Sequence, residues 1–336
     1  MKTENSCNMR PLPLNLQTLY ADLLQRADPS GVKPGAISKK KVRGHEYLYL
    51  DVKEGKGRRQ TSLGRADNLD VQAKAALHQR AAQAAKDSRT TVTALKNARI
   101  PAPSLPIGRV LEAVANAGLF QHGVVLVGTA AYQTYACIAG AYLASSSVMT
   151  ADADLLVASF VGGQEPLDLQ AILKKADPTF AAKMNQDDTL PKLFEAKGGL
   201  QVDVLTKFGR GRSTPVLVKG LGVSATALPF MEYLAEESME AIALYGAGVL
   251  VRVPPPLRYA AHKLLIAQER NDRSKIKKAK DLAQAKELVS VSLEDNSGDW
   301  EETLANVRKR GPKWRKNIDA SLREIGLDQR QGRFKV

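Results

Sequence analysis

The chain has 336 residues, 44% of them hydrophobic and 25% charged, so it is long enough for two or three domains with a buried core. No apolar run reaches the ~18 residues of a membrane span, and the first residues lack the apolar stretch of a signal peptide. We therefore expect a cytoplasmic protein with no membrane partner, whose two cysteines, Cys7 and Cys137, stay unpaired. These cysteines and the four scattered histidines do not follow zinc-binding spacing.

The net charge of +14 is unevenly distributed along the chain. Residues 1–100 carry a net charge of +10, residues 101–249 carry −4, and residues 250–336 carry +8. An acidic middle between two basic ends suits a polyanionic partner such as a nucleic acid or a nucleotide.

The N-terminal region combines a helix, a hairpin and a second helix. Apolar residues at helical spacing predict a helix from Asn15, a candidate N-cap, to the turn at residues 28–31. Residues 47–52 and 58–63 flank a Gly-Lys-Gly turn and predict a β-hairpin. In that hairpin we expect Arg58 and Arg59 to lie opposite Tyr47 and Tyr49. An Ala-rich stretch over residues 69–98 predicts a long helix, and the three prolines of residues 101–106 predict a linker.

The middle of the chain alternates strands and helices. Strands are predicted over residues 124–127 and 154–158, and helices over 129–143 and 167–176. A hairpin is predicted from residues 193–196 and 201–205 around Gly198-Gly199. Such mixing favours an α/β layered domain.

The final third begins at three consecutive prolines, residues 254–256, and then reads as helical over residues 257–270, 276–289 and 301–325. We therefore divide the chain into a basic N-terminal region (1–100), an α/β core (101–255) and a C-terminal helical region (256–336).

Three carboxylates stand out in the core. Asp152 and Asp154 are separated by one residue on a predicted strand, so their side chains share one face. Asp203 lies on another Val-rich and Leu-rich strand. Carboxylates flanked by apolar residues need a countercharge, and hard cations such as Mg²⁺ or Mn²⁺ take oxygen ligands. An exposed position on an amphipathic strand is the simpler interpretation of each aspartate alone.

A glycine turn precedes the carboxylates. Residues 124–127 run into Gly128 and Thr129, and backbone N–H groups at a turn that starts a helix can hold phosphate oxygens. Gly128-Thr129, then Asp152-x-Asp154, then Asp203 resembles the pattern of the DNA polymerase β nucleotidyltransferase superfamily. Downstream, Lys263, Lys280 and Asp281 resemble the C-terminal signature of its minimal members related to AbiEii/MenT-type toxins.

This resemblance implies a polymerase-β-like nucleotidyltransferase core with a mixed sheet, together with the roles of individual residues. Asp152, Asp154 and Asp203 would be catalytic and bind the metal. Gly128, Thr129 and Lys280 would contact the nucleotide phosphates. Lys263 would neutralise phosphate charge, and Asp281 would orient Lys263 or the acceptor. The sequence departs from the family pattern in having Thr129 where Gly or Ser is usual, and in a longer spacing between Gly128 and Asp152.

The implied reaction moves a nucleoside monophosphate from an NTP to an acceptor. RNA, tRNA in particular, is the first choice of acceptor because both ends are basic and the related toxins act on tRNA. The alternatives are a protein hydroxyl as acceptor, and a non-catalytic nucleic-acid-binding or regulatory protein. A toxin neutralised by an antitoxin protein is a further interpretation, although no antitoxin-binding motif is visible. For Lys263, a snorkelling helix lysine is the bland alternative, and the lysines of residues 275–280 could simply form a solvated helix face.

Overall fold

A computed structural model describes residues 10–27, 32, 34–54, 57–147, 151–157, 160, 167–184, 190–208, 215–271 and 274–327. The helices are α1 (Leu14–Gln25), α2 (Leu69–Asn97), α3 (Leu105–Asn116), α4 (Gly128–Tyr132), α5 (Tyr135–Ile138), α6 (Leu169–Ala176), α7 (Met231–Ala235), α8 (Pro256–Ala267), α9 (Lys275–Asp295), α10 (Ser297–Lys309) and α11 (Pro312–Glu324). The strands are β1 (Ala36–Val42), β2 (His45–Glu54), β3 (Gly57–Arg65), β4 (Val124–Val127), β5 (Asp152–Val157), β6 (Ala181–Lys183), β7 (Leu193–Glu195), β8 (Gln201–Thr206), β9 (Val216–Val218), β10 (Val223–Ala227), β11 (Met239–Ala243) and β12 (Val249–Val253). This mixture confirms the α/β class. In the described part of the chain, every helix is too short or too polar to cross a membrane.

The N-terminal region forms a three-stranded antiparallel sheet in the order β1-β2-β3. The predicted hairpin is confirmed as β2 and β3, but the basic stretch before it forms a further strand, β1. The predicted cross-strand partners are wrong, because Tyr47 pairs with Arg65 and Tyr49 with Ser62 across a β-bulge. Arg58 and Arg59 instead face Lys53 and Val52.

Helix α2 joins this small sheet to the rest of the molecule. Asn68 caps it by accepting hydrogen bonds from the N–H groups of residues 70 and 71, as expected for an asparagine N-cap. Near its start, Val71 and Ala75 form a small apolar cluster with Leu48 of β2. Near its end, Val92 and Leu95 belong to the main hydrophobic core. The same helix thus contributes to two separate cores.

The central sheet has seven strands, with β4, β5, β8, β10 and β9 in that order and β7 pairing with both β8 and β6. Strand β4 is antiparallel to β5, whereas β5 and β8 are parallel. The predicted hairpin around Gly198-Gly199 is confirmed as β7 and β8. Strands β11 and β12 form a separate two-stranded sheet that the sequence pattern did not indicate.

Several predicted boundaries are wrong. The helix expected over residues 129–143 is two short helices, α4 and α5. Helix α3 begins at Leu105, inside the stretch expected to be a linker. The first helix starts at Leu14 with Pro13 as its N-cap, so Asn15 is no cap. Residues 28–31, the turn expected to end that helix, lie outside the described residues.

The C-terminal region is helical, as predicted, with one correction. The helix expected over residues 301–325 is divided into α10 and α11 at Gly311, whose φ of 138° no helix accommodates. Helices α8 and α9 pack against each other, and α8 also packs against α10 and α11. The division into three regions at residues 100 and 255 stays a prediction.

Candidate active site

The three aspartates lie on two adjacent strands. In the parallel pairing of β5 with β8, Asp154 is the register partner of Asp203. Asp152 precedes Asp154 by two residues, so all three side chains project from the same face of the sheet. Between them, Ala153, Val202 and Val204 are fully buried on the opposite face. The third carboxylate therefore lies on the strand next to the one that carries the other two.

Burial and neighbouring negative charge destabilise the ionised forms of Asp154 and Asp203. Burial, followed by the negative charges of Asp152 and Asp203, raises the pKa of Asp154 to about 7. Burial and the charge of Asp152 also raise the pKa of Asp203. Like charges at close range oppose ionisation, and a cation would restore it. The sheet thus concentrates negative charge that the neighbouring side chains do not fully offset.

Gly128 lets the chain turn beside Asp154. Strand β4 pairs Val127 with Asp154, and the next residue, Gly128, has a φ of 67°. A Cβ at this position would lie 1.9 Å from Oδ2 of Asp154. Both the left-handed backbone and the close approach therefore require glycine. Helix α4 starts here but has only five residues, so the turn offers local N–H groups rather than a long helix dipole.

Thr129 and Lys280 connect this turn to helix α9. The Lys280 ammonium donates a hydrogen bond to Oγ1 of Thr129 at 3.0 Å, and Thr129 is only 6% exposed. Burial, followed by the positive charge of Lys263, lowers the pKa of Lys280, whereas the charge of Asp152 opposes this effect. Lys277, one turn earlier on α9, favours the ionised form of Asp203. The basic residues of α9 thus face the carboxylates rather than forming only a solvated face.

Lys263 is buried in an ion-pair network and does not snorkel to solvent. Its Nζ lies 2.7 Å from Oδ1 of Asp281, whose other carboxylate oxygen accepts two hydrogen bonds from the Arg270 guanidinium. The side chains of Lys263 and Asp281 are 8% and 1% exposed. The Lys263 charge favours the ionised form of Asp154. This network places a fixed cation within electrostatic range of the carboxylates, and Asp281 positions that cation.

Four supporting residues escaped the sequence interpretation. The hydroxyl of Tyr259 lies 3.0 Å from the carbonyl oxygen of Gly128 and 3.0 Å from Oε1 of Gln284. Tyr132 donates a 2.6 Å hydrogen bond to Glu287, which also accepts hydrogen bonds from the backbone N–H and hydroxyl of Ser145. Glu287 thereby holds Ser145 and Tyr132 together. Through these contacts, the turn at Gly128 and the residue Ser145 are both held against helix α9.

Helix α9 carries a sequence signal that could have identified this face. Its site-facing polar residues recur at intervals of three or four, which places them on one side of an α-helix. They are Lys277, Lys280, Asp281, Gln284 and Glu287. Asp281 and Gln284 within this stripe are almost fully buried, so this part of it faces the protein interior rather than solvent.

The donor set suits a hard divalent cation. In the described residues, no group of three or more aspartate, glutamate, histidine or cysteine side chains forms a cage that could hold a metal ion. Mg²⁺ needs no such cage, since it keeps several waters and is commonly held by one or two carboxylates together with substrate phosphates. The raised pKa of Asp154 is a second reason to expect a cation here. One cation near Asp154 would relieve its repulsion from Asp152 and Asp203.

The other reactive side chains are structural. His262 is buried beside Lys263, and this burial lowers its pKa to about 3. The His122 ring nitrogen Nδ1 lies 2.6 Å from the carbonyl oxygen of Gly118 in its own turn. Cys137 is buried and forms no disulfide, and Cys7 lies outside the described residues.

Comparison with known proteins identifies the family. A family model described as "Nucleotidyltransferase" matches residues 106–307, which include β4, β5, β8, α8 and α9 and therefore all eight candidate residues. No curated protein and no solved structure matches the chain. Because the match covers more than half of its 336 residues, the chain belongs to this nucleotidyltransferase family and is a nucleotidyl-transferring enzyme.

Proposed function

We propose that the protein is a metal-dependent enzyme that transfers a nucleoside monophosphate from an NTP to RNA, with tRNA as the first candidate acceptor. The observation that carries this proposal is the cluster of three carboxylates on β5 and β8, in which burial, followed by the charges of Asp152 and Asp203, raises the pKa of Asp154 to about 7. Mg²⁺ or Mn²⁺, bound by Asp152, Asp154 and Asp203 together with substrate phosphates, would neutralise charge on the reacting phosphate and the leaving group.

The reaction is an in-line displacement at the α-phosphorus. The oxygen of an acceptor hydroxyl forms a bond to this phosphorus, while the bond to the oxygen that bridges to the β-phosphorus breaks and pyrophosphate leaves. The hydroxyl proton would pass to a carboxylate oxygen of Asp203, the role that the resemblance implies for this residue beside metal binding. Asp152 and Asp154 would hold the divalent cation that binds the triphosphate and aligns it with that hydroxyl.

Positive charge comes from two lysines of different character. Lys263 is fixed by Asp281, so it supplies a preorganised cation that loses little mobility when the phosphates bind. Lys280 is half-buried and bonded to Thr129, and it would exchange that hydrogen bond for a phosphate oxygen. The backbone N–H groups of Gly128 and Thr129 complete the contacts to the phosphates.

The charge distribution supports RNA as acceptor, because residues 1–100 and 250–336 carry net charges of +10 and +8. Family membership decides against a non-catalytic protein, but a protein hydroxyl stays as the alternative acceptor. The resemblance to AbiEii/MenT-type toxins motivates two further proposals, growth arrest on expression in the cytoplasm and neutralisation by an antitoxin protein. Growth arrest that Asp203→Ala relieves would support the toxin role; equal toxicity of that variant would contradict it.

The test is incubation of the protein with total RNA, Mg²⁺ and each of four NTPs labelled at the α-phosphate. The proposal predicts label in an RNA band with one or more NTPs, and none with the Asp152→Ala/Asp154→Ala variant. Label in protein alone would favour the protein hydroxyl. No label in either macromolecule, with nucleotide binding equal to that of the double variant, would refute the proposal.

A further inference from the structure

The sheet formed by β1, β2 and β3 has one face packed and one face open. Leu48 and Leu50 of β2 are buried, and Leu48 packs with Val71 and Ala75 of helix α2. Because strand side chains alternate, Tyr47 and Tyr49 project from the opposite face, where both rings are half-exposed. We name this surface the tyrosine face.

Basic residues flank the two rings. Lys40 of β1 is the register partner of Tyr47, and its ammonium lies 5.1 Å from the ring centre of Tyr49. Arg65 of β3 is the partner of Tyr47 on the other side, and its guanidinium already forms an ion pair with Asp67 at 2.7 Å. Residues 36–65 together carry a net charge of +6. The acidic side chain on this face, Asp51, already accepts hydrogen bonds from its neighbours Ser38 and Gln60, which lower its pKa.

Aromatic rings set among cations are the chemistry by which proteins hold single-stranded nucleic acid. Unpaired bases stack on the rings, and the neighbouring cations bind the phosphates without reading sequence. A protein partner would have to present an apolar or acidic surface to this face. The tyrosine face itself offers two rings on a sheet of strongly basic strands. Charge complementarity therefore selects a polyanion.

Helix α2 sets the distance at which this surface is held. The sheet of β1, β2 and β3 contacts α2 at Val71 and Ala75, whereas Val92 and Leu95 of the same helix lie in the main core. Ala75 and Val92 are 17 positions apart, which corresponds to ~26 Å along a helix axis at 1.5 Å per residue. The intervening residues of α2 are largely exposed. The sheet is thus an arm that extends from the core.

We infer that the tyrosine face is the RNA-docking surface of this enzyme, and that it binds an unpaired segment of the acceptor RNA remote from the end that is modified. This inference rests on the proposed transfer to RNA and deepens it. It requires an acceptor large enough to contact the tyrosine face and the carboxylates at once.

Binding is measured by fluorescence anisotropy with a labelled, unstructured 20-nucleotide RNA and the full-length protein. Tyr47→Ala/Tyr49→Ala should raise Kd about tenfold or more, the effect of losing base stacking on the rings. Tyr47→Phe/Tyr49→Phe keeps the rings and should stay within about threefold of the unmodified protein. Circular dichroism checks folding, which should persist because the buried Leu48 and Leu50 are unchanged.

A charge-matched pair separates this surface from general basicity. Lys40 and Lys74 are both exposed lysines of the arm, but Lys74 lies on α2 and outside the tyrosine face. Lys40→Gln should lower the slope of log Kd against log salt by about 0.7, the value for one phosphate contact on a single strand, and Lys74→Gln should not. Equal effects of the two substitutions, or an Ala double variant within twofold of the unmodified protein, would overturn the inference.

The kinetic readout distinguishes failure of this inference from failure of the proposed reaction. The Ala double variant should raise KM for tRNA about tenfold while kcat and KM for the NTP stay within twofold. Transfer that proceeds with unchanged KM for tRNA refutes the docking surface alone. Absence of transfer to RNA by the unmodified protein, with binding still lost in the Ala double variant, refutes the reaction alone.

Discussion

Replacing Asp154 by asparagine tests whether the carboxylate cluster is held at a cost to folding. The substitution keeps the size of the side chain and removes its charge. Burial and the charges of Asp152 and Asp203 raise the pKa of Asp154 from 3.8 to about 7. A carboxyl group with a raised pKa in the folded state binds its proton more tightly when folded, so its contribution to stability falls as pH rises between these two values.

The magnitude follows from the same two pKa values. Below pH ~4, Asp154 is protonated in both states and costs nothing, whereas above pH ~7 it is ionised in both and the full cost applies. Three pKa units correspond to ~4 kcal/mol at 1.4 kcal/mol each. We therefore expect Asp154→Asn to raise the free energy of unfolding by up to ~4 kcal/mol at pH 8, and by little at pH 4.

The assay is urea denaturation in EDTA at pH 4, 6 and 8, followed by circular dichroism. Asp295→Asn, which removes an exposed carboxylate at the end of α9, is the matched control and should give no comparable gain. Adding Mg²⁺ and NTP at pH 8 should stabilise the unmodified protein more than Asp154→Asn. A destabilising effect of Asp154→Asn at pH 8, or a gain equal at pH 4 and pH 8, would refute the electrostatic reasoning.

Three further substitutions test the parts of the site. Gly128→Ala forces a Cβ onto Asp154 and should lower kcat about 100-fold in initial-rate assays; a kcat within threefold would contradict it. Lys263→Met leaves buried Asp281 paired with Arg270 alone and should cost ~1.5–3 kcal/mol in urea denaturation, whereas Lys263→Met/Asp281→Leu should recover part of the loss; no recovery would contradict it. Tyr132→Phe removes a donor to Glu287 and should cost ~1–2 kcal/mol by the same assay, with no loss as the contrary result.

The strands that carry the aspartates could be predicted because local patterns determine them. Alternation of aspartate with Ala153, Val202 and Val204 fixes one polar face and one buried face on β5 and β8. The register pairing of Asp154 with Asp203 is not determined by the fold class, since the order of strands in a layered α/β sheet depends on contacts distant in sequence. The glycine at the end of β4 is a local signal, since its side chain is excluded by the turn.

Other elements could not be predicted because their determinants are distant in sequence. Tyr132 contacts Glu287 across 155 positions, and Tyr259 contacts Gly128 across 131. The stretch over residues 129–143 is almost wholly buried, so no change of hydrophobic period marks the break between α4 and α5. The break between α10 and α11, in contrast, is marked locally in the sequence. Gly311 followed by a proline is a recognisable signal for the end of one helix and the start of the next.

Transfer of a nucleoside monophosphate to RNA by means of the three aspartates is tested most directly by the fate of two labels. Radioactivity in tRNA is measured after incubation with NTP labelled at the α-phosphate and, separately, with NTP labelled at the γ-phosphate. Both reactions are run with the unmodified protein and with Asp203→Asn. We expect the α-label to enter tRNA and the γ-label to appear in pyrophosphate. Asp203→Asn should stay folded but give neither labelled tRNA nor labelled pyrophosphate. Incorporation of the γ-label into tRNA, or undiminished transfer by Asp203→Asn, would contradict this expectation.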